Sequence, residues 1–169
     1  MANSKLSELK GILGLGARTN KYKVQITWVS GKMIDTLCKS TTIPTRSFHE
    51  IEIWNQGRLT VIAGDADFSG TWSCTFMDDE EHTLRGKFLE WMEFIDSSDK
   101  HSRGAGSHSD YMSTAILQQL NTSTNCPTAT YTFEDVWIKD ISDSSVSDDS
   151  SETIIEFTVE FQYTLWKKS

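Results

Sequence analysis

Residues 64–96 read GDADFSGTWSCTFMDDEEHTLRGKFLEWMEFID. Trp72, Cys74 and Phe76 alternate there with Thr71, Ser73 and Thr75. A period of two, with one large apolar face and one small polar face, predicts a half-buried strand. Asp78, Asp79, Glu80 and Glu81 follow. These acids suit the positive end of a helix, with Asp78 placed to cap its free amides and Glu81 at capping-box spacing. Leu84, Phe88, Trp91, Met92 and Ile95 then recur at helical spacing, which turns one stripe toward the core. Arg85, Lys87, Glu90 and Glu93 fall mostly elsewhere and leave a solvated face. The expected core is therefore Trp72, Phe76, Leu84, Phe88 and Trp91.

On the N-terminal side, Val24, Ile26 and Trp28 share one phase of a strand from Tyr22 to Val29, and Ser30-Gly31 turns the chain. Ile34 to Lys39 reads as a returning strand that ends near Pro44. Phe48–Trp54 and Arg58–Ala63 flank Asn55-Gln56-Gly57, a hairpin signal, and Ala63-Gly64-Asp65 reads as the turn that closes it. On the C-terminal side, residues 97–109 are polar and glycine-rich, long for a loop in a compact domain. A strand is expected over Tyr111–Leu120, where Ile116, Leu117 and Leu120 also allow a helix, and another over Thr128–Phe133, whose phase slips at Glu134-Asp135 as at a bulge or a strand end. Residues 140–152 are acidic and serine-rich, a surface loop by composition. In the last segment Ile155, Phe157, Val159, Phe161, Tyr163 and Leu165 lie on one face, and Glu156, Thr158, Glu160, Gln162 and Thr164 on the other. About seven or eight strands and one strong helix result, antiparallel because alternation runs throughout. The predicted class is mainly β with one prominent α-helix: an antiparallel β-sandwich or squashed barrel, with the helix plugging one side.

The 169 residues suit one domain with a substantial core. Residues 1–20 read as a flexible, glycine-interrupted arm and 21–169 as a single β domain. The arm's glycines lack the strand and the lysine-serine of a phosphate loop. Its apolar stretch from Gly11 to Ala17 is short and follows Glu8, so a secretory signal is not expected. The net charge of −8 argues against a sequence-reading nucleic-acid binder, which needs basic patches, though not against a surface that nucleic acid passes without sticking. No apolar run approaches a membrane span. Cys38, Cys74 and Cys126 are too few and too far apart for a zinc motif or a disulfide framework. Cys74 falls on the apolar phase of its strand, and Cys126 lies in a loop where a pairing between subunits stays open.

Catalytic and cofactor chemistry is not expected. His82 sits beside Glu80 and Glu81 without a second ligand on its helical face, so it reads as a solvated helix residue; His101 and His108 lie in the polar loop. Asp65 and Asp67 lack the repeat and closing glutamate of a calcium loop. No Gly-x-Ser-x-Gly occurs. No metal and no cofactor are expected.

In order and spacing, several pieces together resemble the tail tube protein family of contractile-tailed bacteriophages: Cys38-Lys39, Ile43-Pro44, Ala63-Gly64-Asp65, Trp72, Met77-Asp78-Asp79-Glu80, Arg85, Phe88, Trp91, and Asp110-Tyr111 with Ser113, Ala115-Ile116 and Gln118. The resemblance spans Lys21 to Trp166. It implies a virion structural protein, assembled in the host cytoplasm, whose hexameric rings share an inner β-barrel and stack into a tube. It further implies a tail sheath protein outside, a tape measure protein inside, a baseplate initiator below, a tail terminator above, and double-stranded DNA passing non-specifically through the lumen. Three alternatives remain open: the inner tube of a related type VI or pyocin-like injection system, a baseplate–tube junction protein, and a monomeric carbohydrate-binding sandwich with Trp54 or Trp137 as sugar platform.

Within that resemblance, polar strand faces that a core cannot use become lumen candidates: Glu50 and Glu52 opposite Ile51 and Ile53, and Thr71, Ser73 and Thr75 opposite Trp72, Cys74 and Phe76. Glu156 and Glu160 come next. Trp54, Asn55, Gln56, Gly57 and Arg58, at and beside the hairpin tip, are assembly candidates.

Overall fold

The computed structural model describes residues 18–29, 31–96, 106–144 and 154–169. In chain order they form β1 (Tyr22–Ile26), α1 (Gly31–Leu37), β2 (Cys38–Thr41), β3 (Ser47–Asn55), β4 (Arg58–Asp67), β5 (Gly70–Met77), α2 (Thr83–Ile95), α3 (His108–Tyr111), β6 (Ser113–Leu120), β7 (Pro127–Ile141), β8 (Glu156–Tyr163) and β9 (Leu165–Lys168). One sheet runs β1-β6-β7-β8-β5-β2, with β9 also on β7; β3 and β4 form a separate two-stranded sheet. Every pairing is antiparallel, as the alternation implied. The fold is mainly β with one long helix.

The core lies between the apolar face of the large sheet and α2. Trp72, Cys74 and Phe76 of β5 are buried beside Phe157, Val159 and Phe161 of β8, and Leu84, Phe88 and Trp91 of α2 are fully buried over them. Aromatic rings make the contacts: Phe76 and Phe88 centroids lie 5.3 Å apart, Phe88 and Phe161 5.8 Å. Trp28 stacks on Trp91 at 5.2 Å, and the Trp91 indole N–H donates to the carbonyl of Tyr111. The five expected core residues are thus all inside.

β7 spans 15 residues and serves both halves of the sheet. Of the two readings of the phase slip, bulge or strand end, its middle shows the bulge: the pairing with β6 shifts between Ala115↔Phe133 and Ser113↔Val136, Asp135 takes φ 56, and the strand continues to Ile141. Across from the bulge the last strand breaks at Thr164, whose N–H donates to the carbonyl of Glu134. The single long strand read from the sequence is therefore β8 and β9, with β8 on the C-terminal half of β7 and β9 on the N-terminal half.

Local readings fail in four places. Residues 31–37 are helix, not strand. Ile34 and Cys38 are buried and Leu37 half-buried, a spacing that fits a helical turn as well as a strand, and Asp35 Oδ1 accepts the N–H of Val24 on β1. The strand-to-helix junction is longer than expected: α2 begins at Thr83, with His82 as N-cap at φ 51 and no acid in the first turn. Asp78 therefore does not cap it. Its side chain is 2 % exposed and pairs with His82 Nδ1 at 2.6 Å, so His82 is not a merely solvated helix residue. Asp79 takes the capping role, accepting the N–H of Leu84, and the Thr83 hydroxyl together with these backbone donors holds its carboxyl below the usual range. Gly64 lies inside β4, not in a turn; the chain reverses at Phe68-Ser69, where Asp67 Oδ1 accepts both the N–H and the hydroxyl of Ser69. Finally, Asp110-Tyr111 belongs to α3, so β6 starts at Ser113. The expected arm, residues 1–20, lies outside the described residues apart from its last three positions, 18–20, and most of the loop 97–109 lies outside them too.

Candidate functional site: an exposed hairpin and a polar sheet face

The β3–β4 hairpin is built by its turn. Gln56 and Gly57 have φ 48 and φ 76, both left-handed, the pattern of the two-residue turn whose twist matches antiparallel strands. Asn55 pairs with Arg58, so the tip is narrower than the three-residue signal suggested, and the register runs through Trp54↔Leu59, Ile53↔Thr60, Glu52↔Val61, Ile51↔Ile62 and Glu50↔Ala63. Where the register shifts, His49 of β3 faces two residues of β4, Gly64 and Asp65, so the extra residue is in β4. Gly64 is part of this bulge and lies close to the partner strand: a Cβ there would stand 3.0 Å from the His49 carbonyl oxygen.

This register sorts the side chains. One face carries Glu50, Glu52, Trp54, Leu59, Val61 and Ala63; the other carries Ile51, Ile53, Thr60 and Ile62. Both are open. β3 is exposed along its whole length, Trp54 by 67 %, and Ile51, Ile53, Leu59, Val61 and Ile62 are each 44–49 % exposed. An isolated two-stranded hairpin is marginal in water, and apolar groups exposed on both faces mark a surface that becomes covered.

The second surface is the side of the large sheet facing away from α2. Since Trp72, Cys74 and Phe76 point into the core, Thr71, Ser73 and Thr75 point the other way. Opposite them stand Gln162, Glu160 and Thr158 of β8. Thr71 donates to the Gln162 side chain at 3.3 Å, and the hydroxyls of Thr75 and Thr158 lie 3.1 Å apart. Glu160 pairs with Lys139 at 3.5 Å, and Glu156 with Lys39. The face is polar, but its two β8 carboxylates each have a lysine.

The structure thus brings Thr71, Ser73, Thr75, Glu156 and Glu160 onto one face and leaves Glu50 and Glu52 on the separate hairpin. Lys39 and Lys139 were missed by sequence reasoning. The polar phase of β8 was plain, but which lysines border it depends on strand order, and that carries no local signal. Trp54 and Trp137 do not converge into a sugar platform: Trp54 is on the hairpin, and Trp137 is half-buried in register with Gln162. Among the described residues no group of His, Cys, Asp and Glu is placed to hold a metal, and no helix is long and apolar enough to cross a membrane.

Comparisons with known proteins agree with this picture. Residues 15–169 match the family described as phage tail tube protein. Tail tube protein gp19 of Enterobacteria phage T4 is 26 % identical over 151 residues, covering 89 % of this chain and 91 % of the relative, and gp19 of phage T6 matches to the same extent. Among solved structures, the extended sheath–tube complex of the PVC extracellular contractile injection system contains a chain that superposes with TM-score 0.67 at 11 % identity, covering 96 % of both chains. A chain in the tube-terminating cap of the anti-feeding prophage gives TM-score 0.66 at 11 % identity, covering 90 % of both.

Proposed function

The chain belongs to the phage tail tube protein family, and on that premise we propose that its copies close into hexameric rings that stack as the inner tube of a contractile tail. Its place is the virion, and its role is structural, not catalytic. The observation that carries the ring is the hairpin: two strands with apolar groups on both faces and, among the described residues, no third strand beside them. A second copy is the simplest cover, because a head-to-tail contact repeated around an axis buries every such hairpin and leaves none over.

In this reading the polar face of the large sheet lines the channel, joined by Glu50 and Glu52 from the hairpin, and α2 lies on the outer side. DNA passes non-specifically, because the lysines of this wall are paired with Glu156 and Glu160 and Glu50 and Glu52 add negative charge, so no net positive charge collects phosphates. The tape measure protein occupies the bore before DNA does. The sheath surrounds the tube, a baseplate initiator starts it and a terminator ends it. Relatives in sheath-bound and capped assemblies support these last partners.

Electron microscopy of the assembled protein tests the reading. Sixfold rings stacked into tubes are expected, and Trp54→Asp should block stacking or ring closure while the monomer stays folded. A folded monomer under every assembly condition, or rings of another symmetry, would overturn it.

A further inference from the structure

The hairpin leaves the body of the protein through two short segments. The entering one, residues 42–46, belongs to no strand and is pinned at both ends by indole N–H groups. Trp72 Nε1 donates to the carbonyl of Thr42 at 3.0 Å, and Trp166 Nε1 donates to the carbonyl of Thr45 at 3.1 Å. Beside the second pin the Arg46 guanidinium lies 4.4 Å from the ring centroid of Phe68 and 5.4 Å from that of Trp166. Phe68 opens the segment by which the chain returns from the hairpin. Arg46 therefore bridges both roots, and Trp166 ties both to β9.

The two pins differ in what else they do. Trp72 is a central core residue. Trp166 sits at the rim on a four-residue strand near the chain's end, half-buried, with its N–H spent on the hairpin root. The first residue of this segment is also held by β5, Thr42 N–H donating to the Ser73 carbonyl at 3.3 Å, so the far end at Thr45-Arg46 decides where the hairpin points, and a hairpin that swings must lose that freedom when it docks. Pro44 stiffens the middle of the segment but leaves its direction open.

From this we infer that Trp166 and Arg46 are positioning residues: they fix the direction in which the β3–β4 hairpin leaves the protomer, so that it meets a neighbouring copy already aimed. The inference rests on the hairpin being the assembly element.

The test places spin labels at Gln56→Cys on the tip and Glu90→Cys on α2, in a Cys126→Ser background of the full chain. The parent should give one narrow distance distribution. Trp166→Ala and Arg46→Ala should broaden it, Arg46→Lys should largely restore it, and far-UV circular dichroism should not change. Elongation from sheared tube ends should slow about tenfold in each alanine variant, since Trp166→Ala loses the indole bond to Thr45 and the ring beside Arg46, and Arg46→Ala loses both of its cation–π contacts. If Trp166→Ala fails to fold, Arg46→Ala, a change at an exposed side chain, carries the test. An unbroadened distribution overturns the clamp whatever elongation does. A broadened distribution with unchanged elongation overturns the hairpin as assembly element, and the positioning role with it.

Discussion

The hydroxyl of Tyr22 on β1 donates to the backbone carbonyl of Cys38 on β2 at 2.8 Å, and so links the two outermost strands of the large sheet. β1 pairs only with β6, and β2 only with β5, so this side-chain bond ties edges that backbone pairing leaves apart. Burial, with a smaller contribution from the Cys38 thiol, pushes the Tyr22 phenol from its ordinary 10.0 to about 12.

That shift has a definite sign. The folded chain keeps a proton that the unfolded chain releases near pH 10, so the contribution of Tyr22 is full below pH 10 and falls away up to about pH 12. Burial also raises Cys74, which adds alkaline sensitivity of the same sign. Tyr22→Phe should cost about 1 kcal/mol at neutral pH, one net hydrogen bond, and should make the alkaline fall shallower. Urea melts at pH 7 and pH 11 would check both; an unaltered alkaline slope would refute the assignment.

Phe88→Ala removes the ring on which Phe76, Phe157 and Phe161 converge. Its cost should be about 3–5 kcal/mol, the usual penalty for a fully buried aromatic. Leu89→Ala, one residue on and 49 % exposed, serves as the control and should change stability by about 0.5 kcal/mol or less. Denaturant midpoints of the two variants make the comparison, and equal midpoints would mean α2 does not pack as described.

Thiol reactivity should separate the cysteines. All three are free; Cys38 and Cys74 are buried and Cys126 is exposed. Ellman's reagent should therefore titrate one thiol in the native protein and three after denaturation. Two or more fast thiols in the native protein would show that the β2–β5 edge opens. Non-reducing electrophoresis of assembled tubes would settle whether Cys126 pairs between copies.

Charge reversal tests the channel. Tails built with Glu50→Lys and Glu52→Lys should assemble and should eject DNA more slowly, with the delay relieved by added salt, because two new cations per copy face a polyanion. Ejection at the parent rate from normally assembled tails would place these side chains on the outer wall.

Much of the architecture was written in periodicity. β5 and β8 alternate cleanly because one face of each is core, and α2 shows its stripe because it covers that core. The hairpin was legible from its turn residues. What escaped was set by tertiary context. Ile34, Leu37 and Cys38 satisfy a strand edge and a helical turn equally, and only the placement of Asp35 against Val24 decides. Four acids before α2 suggested an immediate start, yet Asp78 is buried and paired with the exposed His82, and the helix starts at Thr83. Lys39, which pairs with Glu156, comes from β2 at the other end of the sequence, and Lys139, which pairs with Glu160, from the neighbouring β7, so these pairs appear only once the strand order and register are known.

The shared strand β7 has a mechanical consequence. It is bonded along one edge to β6 and along the other to β9 and then β8, so a pull entering at the chain's C-terminal end runs parallel to its neighbours. Strands drawn along their length load all their hydrogen bonds together, whereas strands peeled from an edge break them one at a time. The middle of this protein is thus arranged to resist shear along β7.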